Sequence, residues 1–588
     1  MAKSKKSQPK TFAHQAALPH LPVPALDDTL AKYLESVKPF LSEDELTKTA
    51  ALAKDFGKPG GEGEQLQKVL LKRAQELPNW LADWWEYAAY LSDRTPIAPY
   101  ISMVSGFGSF LGFERPVSQA RRAAETIRYT CEYLERLKRE EIAPDTMGGR
   151  MLCMNMYSRL FSTCRIPGSP VDHFERVDPA TVRHVIIMCD GRIFTLPVYD
   201  DKDELLTIGD LEAQLLHILQ HSECVGQGAF NAYNKENLDK VQQSLFGMCL
   251  DDMTPTNPSD LVKYCSAENC GNRWYDKSFQ YVVFRNGMVG ANMEHANADA
   301  TILLAMFRWL GERYLNRNGG METFIESRHH SLTFLPPPEL LKWKLPDSVK
   351  ALIPHAIDYF NKTASALHTM IIRNKKYGKD VLKQAKIVPD IFVQMAIQLT
   401  GFKLWGEVVP TYESAHTRVF VHGRTETIRT ATSEVVDWLR AVQAKQPDSI
   451  VHEKLRRAMN KHKKLTTAAL TGSGLAALMA GKTPHALYSD AAYTKSGGGG
   501  NFVLSTSNVS GYPWLWGGFV PMVPHGIGVC YGAETDFLTF MITVFEANPL
   551  ERTVPNPRPR FPIEEVQTKL FESFDEIFAL VTKFQAKM

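Results

Sequence analysis

The sequence predicts two mixed α/β domains of similar size. Its 588 residues exceed what one ordinary hydrophobic core accommodates. Short β-rich runs alternate with helix-patterned stretches through both halves. Between the halves lies a proline-rich break, Leu335-Pro336-Pro337-Pro338, read as an interdomain crossover. The expected division is a disordered tail over 1–17, a helical segment over 18–95 that packs with the C-terminal domain, a domain over 96–340, and a second over 341–588.

Composition narrows the class. A hydrophobic fraction of 44% and a charged fraction of 22% fit a soluble globular chain. Net charge is +2 with both signs interspersed, which leaves no basic footprint for nucleic acid. No apolar run approaches the roughly 20 residues that cross a bilayer, so no transmembrane segment is expected. Nine cysteines without a paired framework point to a reducing compartment. Cys265 and Cys270 lack a second Cys or His pair, so no metal site is expected.

The elements follow in order. Met1-Ala2-Lys3-Ser4-Lys5-Lys6 is basic without a following apolar stretch, which argues against a secretory signal. Three prolines in Leu18-Pro19-His20-Leu21-Pro22-Val23-Pro24 favour an extended segment. Asp27, Asp28 and Thr29 open a helix into Leu30, Tyr33 and Leu34. Residues 42–88 read as mostly helical, interrupted at Gly57-Lys58-Pro59-Gly60-Gly61, with Trp80, Trp84 and Trp85 on a buried helix face. Runs at 185–188 and 193–199 read as strands, and 211–221 as a helix. Residues 281–290 form a hairpin that delivers the chain to His295, with a helix over 300–310 behind it. Past the break, 349–372 reads as helix and a second α/β set runs through 504–531. Ser496-Gly497-Gly498-Gly499-Gly500 reads as a flexible connector.

The chemistry begins at Glu294-His295-Ala296-Asn297-Ala298-Asp299. A histidine at a strand end is rigidly placed yet exposed, and its near-neutral pKa suits proton exchange with a hydroxyl. The i,i+4 aspartate alone marks many solvated helix faces. Distant blocks give it context: the Leu18–Pro24 run with Thr29, Phe56-Gly57-Lys58-Pro59-Gly60-Gly61, Cys153-Met154-Asn155 and Gly271-Asn272-Arg273-Trp274-Tyr275-Asp276-Lys277. Together they resemble the carnitine/choline acyltransferases, over nearly the whole chain.

The resemblance implies two similar domains of the chloramphenicol-acetyltransferase type with an active-site tunnel at their interface. It implies His295 as general base for direct attack of an acceptor hydroxyl on a thioester, without an acyl-enzyme. Asp299 would pair with Arg424 to hold the site's shape. Ser507, in Ser505-Thr506-Ser507, would donate to the developing oxyanion. Lys379 and Lys383, which share a helix face by spacing, would bind the 3′-phosphate of coenzyme A, with Asp390 near the adenine. Tyr412, Thr425, Ser505 and Phe519 would hold the acceptor. The Thr425-Glu426-Thr427 triplet disfavours choline.

Two positions depart from the family. Ala477 stands where carnitine-using relatives carry the arginine that neutralises the carnitine carboxylate, and no arginine occurs between Arg457 and Arg552. A carboxylate desolvated without a cation is costly, so either another cation enters or the acceptor is an uncharged alcohol such as a polyol. Gly517 stands where the acetyl-specific relative has methionine, which implies an acyl group longer than acetyl. The resulting expectation is an O-acyltransferase using acyl-CoA and a small alcohol, with no metal, as a monomer. One alternative is a domain releasing a polyketide from an acyl carrier protein; another is an inactive binding protein. The terminal Ala586-Lys587-Met588 resembles a weak peroxisomal address, so the cytoplasm or the peroxisome is the expected compartment.

Overall fold

The computed structural model describes residues 10–107, 117–221, 233–316, 337–470, 485–547 and 556–585. The chain divides into two compact units, one formed by Met1–Ala17, Asp83–Ser365 and Trp514–Gly517, the other by Leu18–Ala82, Ala366–Pro513 and Gly518–Met588. Each contains its own mixed sheet. Residues 10–17, expected in a disordered tail, form turns and a short 3-10 helix. The Thr11 hydroxyl donates to the Ile142 carbonyl at 2.7 Å, which ties this segment to the first unit.

The first unit carries an eight-stranded sheet ordered Glu339–Leu340, Arg192–Pro197, His184–Cys189, Gly247–Asp251, Phe279–Phe284, Val289–Met293, Met103–Phe107, Leu515–Gly518. Its three central strands are parallel to one another. They are buried along most of their length, as strands covered on both faces must be. The expected hairpin is present: Phe279–Phe284 pairs antiparallel with Val289–Met293. Gly287 turns it at φ 77°, and a Cβ there would meet the Val117 carbonyl at 2.4 Å. The Ala300–Asn316 helix begins one residue after Asp299.

The second unit carries a six-stranded sheet ordered Leu367–Asn374, Leu538–Phe545, Ile527–Ala533, Leu504–Asn508, Thr411–His416, Thr425–Arg429. Beneath it the Pro389–Trp405 helix is buried continuously from Ile391 to Gly401, the pattern of an interior helix. It packs with the Ile563–Gln585 helix around Phe392, Trp438 and Phe574.

Two readings need correction. The helix expected over 349–372 is Asp347–Ala366, and the chain then runs as the strand Leu367–Asn374. The β-branched Ile371 and Ile372 favour a strand, yet one apolar run spans both elements and its period does not separate them. Of the three tryptophans assigned to a buried helix face, only Trp80 is buried. It lies ahead of the short Ala82–Glu86 helix, and its indole N–H donates to the Pro22 carbonyl at 3.2 Å.

Candidate active site

His295 sits in the turn between the Val289–Met293 strand and the Ala300–Asn316 helix. Its side chain is 28% exposed and that of Asp299 8%, with Nδ1 4.0 Å from the Asp299 carboxylate. That separation allows charge interaction but is too long for a hydrogen bond. The Tyr90 ring lies against the imidazole, centroids 5.3 Å apart.

The turn is built on charges that sequence reading did not find. Glu294 is fully buried and accepts from Arg165, itself 1% exposed, at 3.2 Å. Its other oxygen accepts the Asn297 backbone N–H at 3.0 Å, which closes the turn around His295. Arg165 also donates to Asp172 at 2.9 Å and to the Tyr90 carbonyl at 2.9 Å. One guanidinium thus fixes both the histidine turn and the backbone of the aromatic beside it. Burial, with the Glu294 charge second, pushes the nearby Asp276 carboxyl up to about 6. Arg165 and Glu294 lie 129 positions apart, and no local pattern announces such a pair.

In the second unit, strand register gathers the expected acceptor residues on one sheet face. Tyr412 pairs with Arg429 on one side and with Ser505 on the other. Cross-strand partners share a face, and alternate positions return to it. Tyr412, Ser414, His416, Thr425, Thr427, Arg429, Ser505 and Ser507 therefore lie on that face. The Ser505 hydroxyl donates to the Tyr412 oxygen at 2.8 Å, and the Phe502 ring packs on Tyr412 with centroids 4.7 Å apart. A Cβ on Gly528 would meet the Phe519 carbonyl at 3.1 Å, which places the 519 segment over this face too. Ser507 is half-buried.

The opposite face meets helices through a charged network. His462, 1% exposed, holds Nε2 3.4 Å from Glu413 and 3.7 Å from Asp390. The Tyr531 oxygen lies 2.7 Å from Asp390 and 2.8 Å from Glu413. One hydroxyl proton cannot serve both, so one carboxyl must itself carry a proton. Burial raises Glu413. Burial also raises Asp390, but His462, Tyr531 and Asn508 outweigh it and hold that carboxyl below its ordinary range. Burial lowers His462, yet the two acids prevail and push it up to about 9. The same three residues bring metal-capable atoms within 4.8 Å of one another, and the imidazolium supplies the positive charge there.

A raised histidine pKa stabilises the fold fully below the unfolded value near 6.5 and loses that contribution as pH rises through about 9. Thermal melts between pH 7 and pH 10 should show the wild type losing on the order of 3 kcal/mol. A His462→Leu variant should show no such step, and a wild-type profile flat across this range would contradict the assignment.

Lys379 and Lys383 lie one turn apart on the Lys379–Gln384 helix, Lys383 exposed and Lys379 partly so. Gly378 precedes it where a Cβ would strike the Asp536 backbone at 2.5 Å, and the Lys379 N–H donates to the Glu534 carbonyl at 2.7 Å. Asp390 sits in the first turn of the next helix and accepts from Asn508 at 2.7 Å. Arg424 is buried at the turn before Thr425–Arg429, its carbonyl accepting the Thr417 N–H. Gly517 has a packing cause: a Cβ would stand 2.5 Å from the Val104 carbonyl. The glycine-rich connector is a set of left-handed turns, Gly497, Gly499 and Gly500 all having positive φ. Ala477 and Ala586-Lys587-Met588 lie outside the described residues. A cleft of about 800 Å³ beside Phe40, Trp405 and Arg558 is lined by none of the expected site residues.

A partly exposed histidine stands at a strand end of the first unit, and hydroxyls line a sheet face of the second. Known proteins define the class. The family described as Choline/Carnitine o-acyltransferase matches residues 21–230 and 227–554. Peroxisomal carnitine O-octanoyltransferase of Bos taurus is 33% identical over 592 residues, 93% of this chain and 95% of the relative. Carnitine O-acetyltransferase of Columba livia is 33% identical over 581 residues, 91% of this chain and 90% of the relative. Choline O-acetyltransferase of Danio rerio is 30% identical over 591 residues, covering 93% and 91%. Among solved structures, trichothecene 15-O-acetyltransferase from Fusarium sporotrichioides reaches a TM-score of 0.37 at 10% identity, over 84% of this chain and 93% of that one. This chain belongs to the choline/carnitine O-acyltransferase family and is an acyltransferase. No helix among the described residues is long and apolar enough to cross a membrane.

Proposed function

We propose that this chain moves an acyl group between coenzyme A and the hydroxyl of a small alcohol, with His295 as the general base. The observation that supports it most is the partly exposed His295 ring in a turn locked by the buried Arg165–Glu294 pair. Such a ring can take the acceptor proton as the oxygen attacks the thioester carbonyl, then deliver it to the departing thiolate. Fixing the base in advance spares reorganisation during the reaction. Ser507 is the proposed oxyanion donor and Lys379 and Lys383 the proposed contacts for the phosphate of the carrier. The hydroxyls of Tyr412, Thr425 and Ser505 suit a small polar acceptor. Asp299 and Arg424 are proposed as a pair that shapes the site.

An acyl thioester of coenzyme A, rather than of a carrier protein, is the proposed donor, because the chain belongs to the choline/carnitine O-acyltransferase family. A medium-chain acyl group is proposed, supported by the octanoyl-named relative; the space beside Gly517 is taken by the Val104 carbonyl and lends no support. The cytoplasm or the peroxisome is the proposed location, the latter because one relative is named as peroxisomal. Free-thiol release from octanoyl- and acetyl-coenzyme A, measured with carnitine, choline, glycerol and sugar alcohols, tests the reading. Acceptor-dependent release, faster with octanoyl than with acetyl, is expected. Release from neither thioester with any acceptor would refute acyl transfer.

A further inference from the structure

Resting on the proposed transfer to an alcohol, we infer that Arg429 is the cation that receives a carboxylate on the acceptor. The register places Arg429 directly opposite Tyr412, whose other neighbour is Ser505. All three share the hydroxyl-lined face. The Arg429 guanidinium lies 5.4 Å from the Phe502 ring centroid, and that ring packs on Tyr412 at 4.7 Å. A single aromatic therefore holds the cation beside the tyrosine.

The charge of Arg429 is poorly compensated within the protein. Its guanidinium donates from Nη1 to the Ser496 carbonyl at 2.9 Å, and among the described residues no carboxylate stands within ion-pair distance. Glu426 acts on it electrostatically but lies three positions away, an odd separation that puts it on the other face of the strand. Burial raises the Glu426 carboxyl, opposed by the Thr427 N–H and by the charges of Arg429 and Lys32. A guanidinium taken from water without an anion is costly, and its planar fork matches a carboxylate in two-point geometry. An acceptor bearing a carboxylate supplies what the protein lacks. A purely neutral polyol would leave the cation as it stands. Ala477 in the sequence then no longer implies an uncharged acceptor, because the cation comes from the neighbouring strand.

The test compares carnitine with carnitinamide, its neutral amide, in wild type, Arg429→Met and Arg429→Lys. The Met variant should raise the carnitine KM on the order of 10²-fold, change kcat less than about threefold, and collapse the preference for carnitine over the amide. Lysine should restore part of that preference. Calorimetric binding of carnitine to wild type and to the Lys variant keeps the test open if the Met variant folds poorly. A preference that survives in the Met variant, or a parallel fall of kcat with both acceptors, would mean that Arg429 only braces Ser496. Wild-type protein that acylates the amide but not carnitine would overturn the inference and leave acyl transfer standing. No thiol release with either acceptor would overturn the proposed function itself.

Discussion

An Arg165→Leu variant loses about 3–5 kcal/mol of stability, because it leaves Glu294 and Asp172 buried without their cation. Both carboxylates depend on the one guanidinium, at 3.2 and 2.9 Å, although Arg94 keeps a contact with Asp172 at 3.0 Å. Asp172 is held below the usual carboxylate range: burial raises it, and the Gly168 N–H, Arg94 and Arg165 more than offset that. A depressed carboxylate contributes stability above its unfolded pKa and loses it as pH falls. The deficit of the variant should therefore be largest at pH 7 to 8 and shrink at acid pH, as Asp172, without Arg165, takes up a proton more readily. Denaturant melts at several pH values check this. A deficit independent of pH would assign the loss to packing alone.

His295→Ala should lower the rate of thiol release about 10²–10⁴-fold with little change in melting temperature. The ring is partly exposed, so part of its surface already faces solvent. Pairing the assay with calorimetry separates this variant from Arg165→Leu, which should lose stability first and activity with it. Transfer that persists in folded His295→Ala would remove the general base from the proposed mechanism.

The sequence made some parts of this legible and hid others for physical reasons. The hairpin before His295 was visible because continuous apolar runs flank an Asn-Gly turn. Tyr412, Thr425 and Ser505 stood out only through blocks shared with a family. Their presence on one face follows from a register that joins strands about 90 positions apart, which no local window contains. The Leu367–Asn374 strand was absorbed into the preceding helix, since Leu367, Met370 and Ile371 continue its apolar spacing. Arg165, Glu294, Asp390 and His462 carry no spacing signal, because buried charges find partners through the fold rather than along the chain. Arg429 was hidden for the same reason. Its significance depends on the strand opposite it.

The four residues Trp514–Gly517 belong to the unit that holds His295, although the chain before and after them belongs to the other. They supply the last strand of the eight-stranded sheet, beside Met103–Phe107. During synthesis the edge of that sheet therefore waits, unpaired, while the chain from Met293, the end of the strand that pairs Met103–Phe107 on its other side, to Leu515 emerges. An open edge recruits other chains, so a fragment ending before this strand should self-associate. The late strand acts as a seal on completion: the histidine unit is finished only when most of its companion has been made.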